Sequence, residues 1–263
     1  MNREINVLIK GFKMAFSSFT IFSFPHKVWD DNARIYMLLF FPIVGLWIGI
    51  LFYFFNIACS FFGVPIFIRA LICSIFFSLS SGFIHVDGFM DVCDAILSRS
   101  DSNKKQQILK DSHVGSFSVV ATIILFLTNY ASFTNIKRGV DIMCIILIPV
   151  VSRIMSAIQI INRKSMYNSQ YNIVYINSKT KKYSIVSFIL FLFLIASIIL
   201  ESILFGPFVY ILYIEILIHF ISCALATKSL NGMNGDISGF AISVCECVAI
   251  LIFTYITING GII

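Results

Sequence analysis

Apolar runs long enough to cross about 30 Å of hydrocarbon recur near residues 36–56, 64–84, 116–134, 140–160, 184–205, 207–226 and 239–258. They predict about seven transmembrane helices. Only the join at Gly206-Pro207 is open, because a tight turn, a re-entrant hairpin and a kinked long helix all suit a Gly-Pro break. Ahead of the first run, residues 5–22 place Ile5, Leu8, Ile9, Phe12, Phe16 and Phe19 on one helical face and Asn6, Lys10, Lys13 and Ser17 opposite. That pattern predicts an N-terminal amphipathic helix lying at the interface. Two lysines interrupt any apolar run before residue 14 and no small-residue cleavage site follows, so a removable signal peptide is not expected. A turn at Ser23-Phe24-Pro25-His26 and the polar Asp30-Asp31-Asn32 then lead into the first span.

Composition agrees with the pattern: of 263 residues, 59% are hydrophobic and 12% charged, where a soluble domain is about a quarter charged. The expectation is an all-α, polytopic integral membrane protein, one domain over residues 1–263. The net charge of +6 then reads as topology rather than as affinity for nucleic acid. With the N-terminus inside, fifteen Lys and Arg fall in cytoplasmic segments, among them Lys10, Lys13, Arg34, Lys104, Lys110, Lys164 and Lys182, against Lys137 and Arg138 outside. This bias predicts a multi-pass membrane protein with its N-terminus cytoplasmic. The cysteines at 59, 73, 93, 144, 223, 245 and 247 show neither zinc spacing nor a secreted disulfide pattern and read as free thiols.

In so apolar a chain, ionisable groups beside the bilayer point to chemistry. Asp87, Asp91 and Asp94 stand at i, i+4 and i+7 in His85-Val-Asp-Gly-Phe-Met-Asp-Val-Cys-Asp94, which confines them to one face of a helix. Clustered carboxylates need a counter-charge, and oxygen-only ligands suit Mg²⁺ or Mn²⁺ shared with a substrate phosphate. The plain alternative is a solvated first helical turn whose acids favour the positive end of the dipole. His85 points away from the acidic stripe if the helix already includes it, so its role as a base depends on where that helix starts. Lys110 either holds a phosphate or obeys the positive-inside rule, and Asp111 is also a candidate N-cap for the third span. The loop after span six, Asn231-Gly-Met-Asn-Gly-Asp-Ile-Ser-Gly239, sets glycines around Asp236, as phosphate-cradling turns do and as plain turns do. Both this loop and the acidic stretch are predicted on the cytoplasmic side, where they can form one site. Arg153, Glu215 and Glu246 lie inside predicted spans and should pair or line a cavity.

Taken together, His85-x-Asp87-Gly88-x-x-Asp91-x-x-Asp94, Lys110-Asp111-Ser112-His113-Val114-Gly115 and Gly232-x-x-Gly235-Asp236-x-x-Gly239 with Glu246 downstream resemble the cobalamin synthase family, the adenosylcobinamide-GDP ribazoletransferases. The resemblance extends to Phe24-Pro25, to Phe41-Pro42-Ile43-Val44-Gly45 and to Ser152-Arg153. It implies that the alcohol of α-ribazole, or of its 5′-phosphate, attacks the phosphorus nearest cobinamide in adenosylcobinamide-GDP and displaces GMP. It also implies Mg²⁺ on Asp87, Asp91 and Asp94 or Asp236, catalytic roles for Asp87, Asp91 and His85, and substrate contacts from Lys110, Asp111, Gly115, Arg153, Gly232, Gly235, Gly239 and Glu246. Expected partners are these substrates and the lipid bilayer, with no nucleic acid and with homo-oligomers left open. Ala95, His113, Ser118 and Ser243 depart from the family's usual Gly, Arg, Gly and Glu.

Two other classes fit part of the pattern. CDP-alcohol phosphotransferases also use helical acids and a metal, but follow their Asp-Gly with Ala-Arg, whereas Asp87-Gly88 is followed by Phe-Met-Asp. A cation-coupled transporter would carry acids near the midplane and two related halves, and no internal repeat is evident.

Overall fold

The computed structural model describes residues 2–22, 24, 29–136, 143–167 and 169–259. The predicted turn residues Ser23, Pro25 and His26, and the predicted outer-loop residues Lys137 and Arg138, lie outside the described residues. Described residues form helices α1 (Asn2–Phe19), α2 (Arg34–Phe61), α3 (Ile66–Ser80), α4 (Ile84–Leu97), α5 (Ser102–Ile108), α6 (Ser116–Asn135), α7 (Ile148–Asn162), α8 (Asn172–Ile176), α9 (Lys181–Phe205), α10 (Val209–Leu230) and α11 (Gly235–Asn259). Three short 3-10 turns join them, at Asp31–Ala33, Met143–Leu147 and Gly206–Phe208, and the fold is all-α as predicted.

Five described helical runs are long and apolar enough to cross a membrane, or six when the bent pair α3 and α4 is taken as one span. One of the five, Lys181–Leu230, is a 50-residue run made of α9 and α10 joined at Gly206–Phe208. Lys182 at its start reaches Asn32 and Tyr36 before and in α2, while Ser229 and Leu230 at its end meet Lys105 and Gln106 of α5. Both ends therefore lie on the face that carries α4 and α5, and the chain doubles back at Gly206, whose φ is 55°. Of the three readings of Gly206-Pro207, the tight turn is the observed one.

The predicted span 64–84 is corrected. Its helix stops at Ser80, and α4 leaves α3 at 90°. Ser81 Oγ turns back to the Phe77 carbonyl at 2.8 Å, and Gly82 and Phe83 both adopt left-handed φ, near 64° and 60°. A Ser-Ser-Gly stop followed by two left-handed residues breaks the helix more firmly than its apolar composition sustains it. α3 and α4 thus form one bent pair whose elbow reaches Arg153 inside the bundle.

α1 packs on α2 through Met14, Ala15 and Phe19, with Gly11 against Tyr36, where an added Cβ would fall 2.5 Å from the Tyr36 Cβ. Ile5 and Ile9 of the predicted apolar face are exposed. The helix is thus apolar on two sides, one against protein and one left for lipid. α2 meets the start of α7 and the turn before it at backbone distance: a Cβ on Gly45 would clash with the Pro149 carbonyl oxygen of α7, and one on Gly49 with that of Ile146 in the turn. This small-x-x-x-small seam is the close packing that membrane helices use. α7 is the central helix, buried almost throughout.

Candidate active site

The site is assembled where α4 lies across the first turns of α11. A Cβ added to Gly88 would stand 2.7 Å from the Asp236 Cα, and one added to Gly239 2.9 Å from the His85 carbonyl oxygen. Two glycines therefore let the backbones touch, and Phe89 stacks on Phe240 at 5.7 Å beside them. This contact brings Asp236 up to the acidic stripe, joining the two motifs that lie far apart in sequence. Asp87 is exposed, whereas Asp91, Asp94 and Asp236 are partly buried. Burial, with the carboxylates of Asp236, Asp87 and Asp94 around it, raises Asp91 from 3.8 to about 7.

Asp94 has a second task. Its Oδ2 accepts from the Gly115 N–H at 2.8 Å and its Oδ1 from the Ser118 N–H at 2.9 Å. It caps α6 from another helix, satisfying N–H groups that a helix start leaves free. Asp111, the sequence candidate for that cap, instead bonds the His113 ring at 2.6 Å on the surface. Their mutual contact lowers the Asp111 carboxyl and raises the His113 imidazole. Gly115 has no room for a side chain, since its Cβ would meet the Asp94 carboxylate at 2.3 Å.

His85 belongs to α4 and so points away from the acids, into the interior between the Phe19 and Phe41 rings at 6.1 and 5.9 Å. Its Nε2 is buried without a partner among the described residues. Below it, Arg153 of α7 is fully buried and paired with Glu246 of α11. Ser152 Oγ donates to the same Glu246 oxygen at 2.8 Å, and Arg153 Nη2 reaches Ser81 Oγ at the α3–α4 elbow at 3.2 Å. Arg153 and Glu246, sequence candidates for substrate contacts, satisfy one another inside the protein and do not line the open cavity described next. Glu215 is buried in the same region, with Cys245 Sγ at 3.9 Å from its Oε1.

That cavity, of about 720 Å³, opens beside Asp236. Lys110, Lys164, Tyr167, Gln170, Asn172 and Asn234 are among its walls. Its shape depends on residues 163–167 running alongside 231–233: Met233 N–H donates to the Lys164 carbonyl at 2.8 Å and Met166 N–H to the Met233 carbonyl at 3.0 Å. Gly232 serves this pairing, with φ of 151° and no space for a Cβ next to Met166. Gly235 has only ordinary contacts at the cavity wall. Lys164, Tyr167, Gln170, Asn172 and Asn234 escaped the sequence reading. A signal existed, since a polar, tyrosine-bearing connection from Arg163 to Thr180 is longer than two adjacent helices need, and long connections are often functional.

Among the described residues no three of His, Cys, Asp and Glu stand close enough to enclose a metal ion. The donor set fits a hard divalent cation that takes one or two carboxylates from the protein and completes its shell from phosphate and water. The uncompensated field at Asp91 supports that fit.

A family model described as cobalamin-5-phosphate synthase matches residues 11–254. Among curated relatives, an adenosylcobinamide-GDP ribazoletransferase of Clostridium perfringens (strain SM101) is 33% identical, over 94% of this chain and 98% of its own. One of Clostridium botulinum (strain Alaska E43) is 34% identical over 92% and 96%. One of Fusobacterium nucleatum is 26% identical over 94% and 98%. No solved structure matches the chain.

Proposed function

The chain belongs to the cobalamin-5-phosphate synthase family, and from that premise we propose that it is an adenosylcobinamide-GDP ribazoletransferase. It joins adenosylcobinamide-GDP and α-ribazole, or its 5′-phosphate, and releases GMP. The observation that carries the proposal to these residues is the α4–α11 crossing, which sets Asp91 in the field of Asp236, Asp87 and Asp94 beside an open cavity.

The ribazole hydroxyl forms a new P–O bond to the phosphorus nearest cobinamide, the bond from that phosphorus to GMP breaks, and the hydroxyl proton passes to a base. Such a displacement at phosphorus needs positioning and charge neutralisation more than covalent help. Asp87 and Asp236 would hold Mg²⁺, and the ion would supply that neutralisation. Asp94 holds the start of α6 against the acidic helix and turns one edge of each oxygen to its two N–H donors. With Asp87 and Asp236 on the ion, Asp91 at the centre of the stripe would take the hydroxyl proton. His85, enclosed by two phenyl rings, anchors α4 instead.

The active face carries Lys10, Arg34, Lys104, Lys105, Lys164 and Lys182, and the positive-inside rule puts it in the cytoplasm, with the protein in the cell membrane. Tested with purified protein in detergent, adenosylcobinamide-GDP, α-ribazole and Mg²⁺, the wild type should release GMP, and Asp91→Ala or chelation should abolish release. A folded wild type that releases no GMP from this pair, yet turns over a CDP-alcohol, would overturn the assignment.

A further inference from the structure

The reaction joins a nucleoside, or its 5′-phosphate, to a very large corrinoid that carries GDP, and the cavity beside Asp236 discriminates between the nucleoside phosphates and the corrin. Its volume of about 720 Å³ lies in the range that houses one drug-sized molecule. A nucleotide fits that space, whereas a corrin ring with its amide arms and adenosyl ligand does not.

The walls are sorted by chemistry. Lys110 comes from the chain after α5 and Lys164 from the chain after α7. Neither ammonium has an ion-pair or hydrogen-bond partner among the described residues, whereas Lys105 bonds Ser229, Lys10 pairs with Asp30 and Lys182 covers the Tyr36 ring. The N-terminus of α11 enters the same cavity at Gly235 and Asp236. Asn234 Oδ1 takes the Ile237 N–H at 3.0 Å, which leaves the N–H groups of Gly235 and Asp236 without a protein partner among the described residues. A 25-residue helix presenting free N–H groups at its start attracts an anion, and two free ammoniums add to it. The 167–175 stretch, with Tyr167, Gln170, Asn172 and Tyr175, offers rings for stacking and amides that both donate and accept, Gln170 lying next to Gly235. That is the chemistry of a base and a ribose.

We propose that this cavity takes a nucleoside phosphate, its phosphate bracketed by Lys110 and Lys164 at the start of α11 and its base against the 167–175 wall. The proposal rests on the reaction assigned above and deepens it, placing the corrinoid outside the cavity, over the exposed Asp87 end of the stripe. The nucleoside phosphate is either the GMP portion of adenosylcobinamide-GDP or α-ribazole 5′-phosphate, which present the same chemistry to these walls.

The test is equilibrium binding to the full chain in detergent, with Mg²⁺, of GMP, of α-ribazole 5′-phosphate and of inorganic phosphate, each alone. Wild type, Lys110→Ala, Lys164→Ala, Tyr167→Ala and the surface control Lys179→Ala are compared. All four positions are exposed, so folding is not at stake. At least one nucleotide should bind, losing about tenfold in affinity for each cavity lysine and several-fold for Tyr167→Ala, with Lys179→Ala neutral. The nucleotide that shows this pattern identifies the source. Phosphate should respond to the lysines and not to Tyr167. The proposal is overturned if neither nucleotide binds, or if their affinities ignore Lys110 and Lys164. GMP release, measured on the same preparations, separates the two readings: turnover with lysine-indifferent binding rejects the cavity and keeps the reaction, and lysine-dependent binding without turnover does the reverse.

Discussion

Removing Glu246 should unfold the protein more readily than its place on a membrane helix suggests. Arg153 has no exposed surface and Glu246 is its only ion-pair partner among the described residues. In Glu246→Ala the guanidinium keeps Ser152, Ser81 and the Pro149 carbonyl as neutral contacts but loses its counter-charge. Stripping one partner from a buried pair is worth about 3–5 kcal/mol. At about 2–4 °C per kcal/mol for a chain of this order, the melting temperature in detergent should fall by roughly 6–20 °C. The double variant Arg153→Met/Glu246→Ala removes the stranded charge and should recover most of that loss, since apolar substitutes for a buried pair are often close to neutral. Thermal unfolding of wild type, both single variants and the double variant gives the coupling directly. A Glu246→Ala shift under about 2 °C, or single losses that simply add in the double variant, would refute a buried, mutually dependent pair.

Further outcomes follow from other contacts. Asp94→Ala removes the cap on α6 and should lower stability by about 1 kcal/mol, with faster amide exchange at Gly115 and Ser118; unchanged exchange at both would count against it. Gly45→Ala places a methyl where the Pro149 carbonyl stands and should lower stability by about 1–3 kcal/mol, read as a lower melting temperature, while Gly235→Ala, whose methyl would meet only Gln170 and Tyr171 side chains at 3.5 and 3.6 Å, should stay closer to wild type. Asp91 is raised from 3.8 to about 7, so the folded state holds its proton more tightly than the unfolded chain does. In chelator, Asp91's contribution is therefore fully present below about pH 4 and is lost as pH rises through about 7. Unfolding profiles of wild type and Asp91→Asn across that range should converge at low pH and diverge above it, and Mg²⁺ should narrow the gap at high pH.

Hydropathy alone was enough to place the membrane helices, because an apolar run of twenty residues has one stable home and every backbone polar group in it must be satisfied within the helix. The same reasoning overran at 64–84, where two serines and a glycine end α3 inside an apolar stretch and turn α4 aside by 90°. It left Gly206-Pro207 open, since a local break does not say where its two ends go, and contacts from Lys182 to Asn32 and from Lys105 to Ser229 close the hairpin. Periodicity put Asp87, Asp91 and Asp94 on one stripe and turned His85 away from it. What periodicity could not supply was the company these residues keep. Asp94 caps α6, Arg153 and Glu246 neutralise one another, and Lys164 and Tyr167 become a cavity wall through contacts between segments far apart in the chain. Helix type and burial follow from local pattern because backbone hydrogen bonding and solvent transfer act residue by residue. A site is a meeting of surfaces, and here it was decided by two glycines, Gly88 and Gly239, that let α4 and α11 approach until their backbones touch.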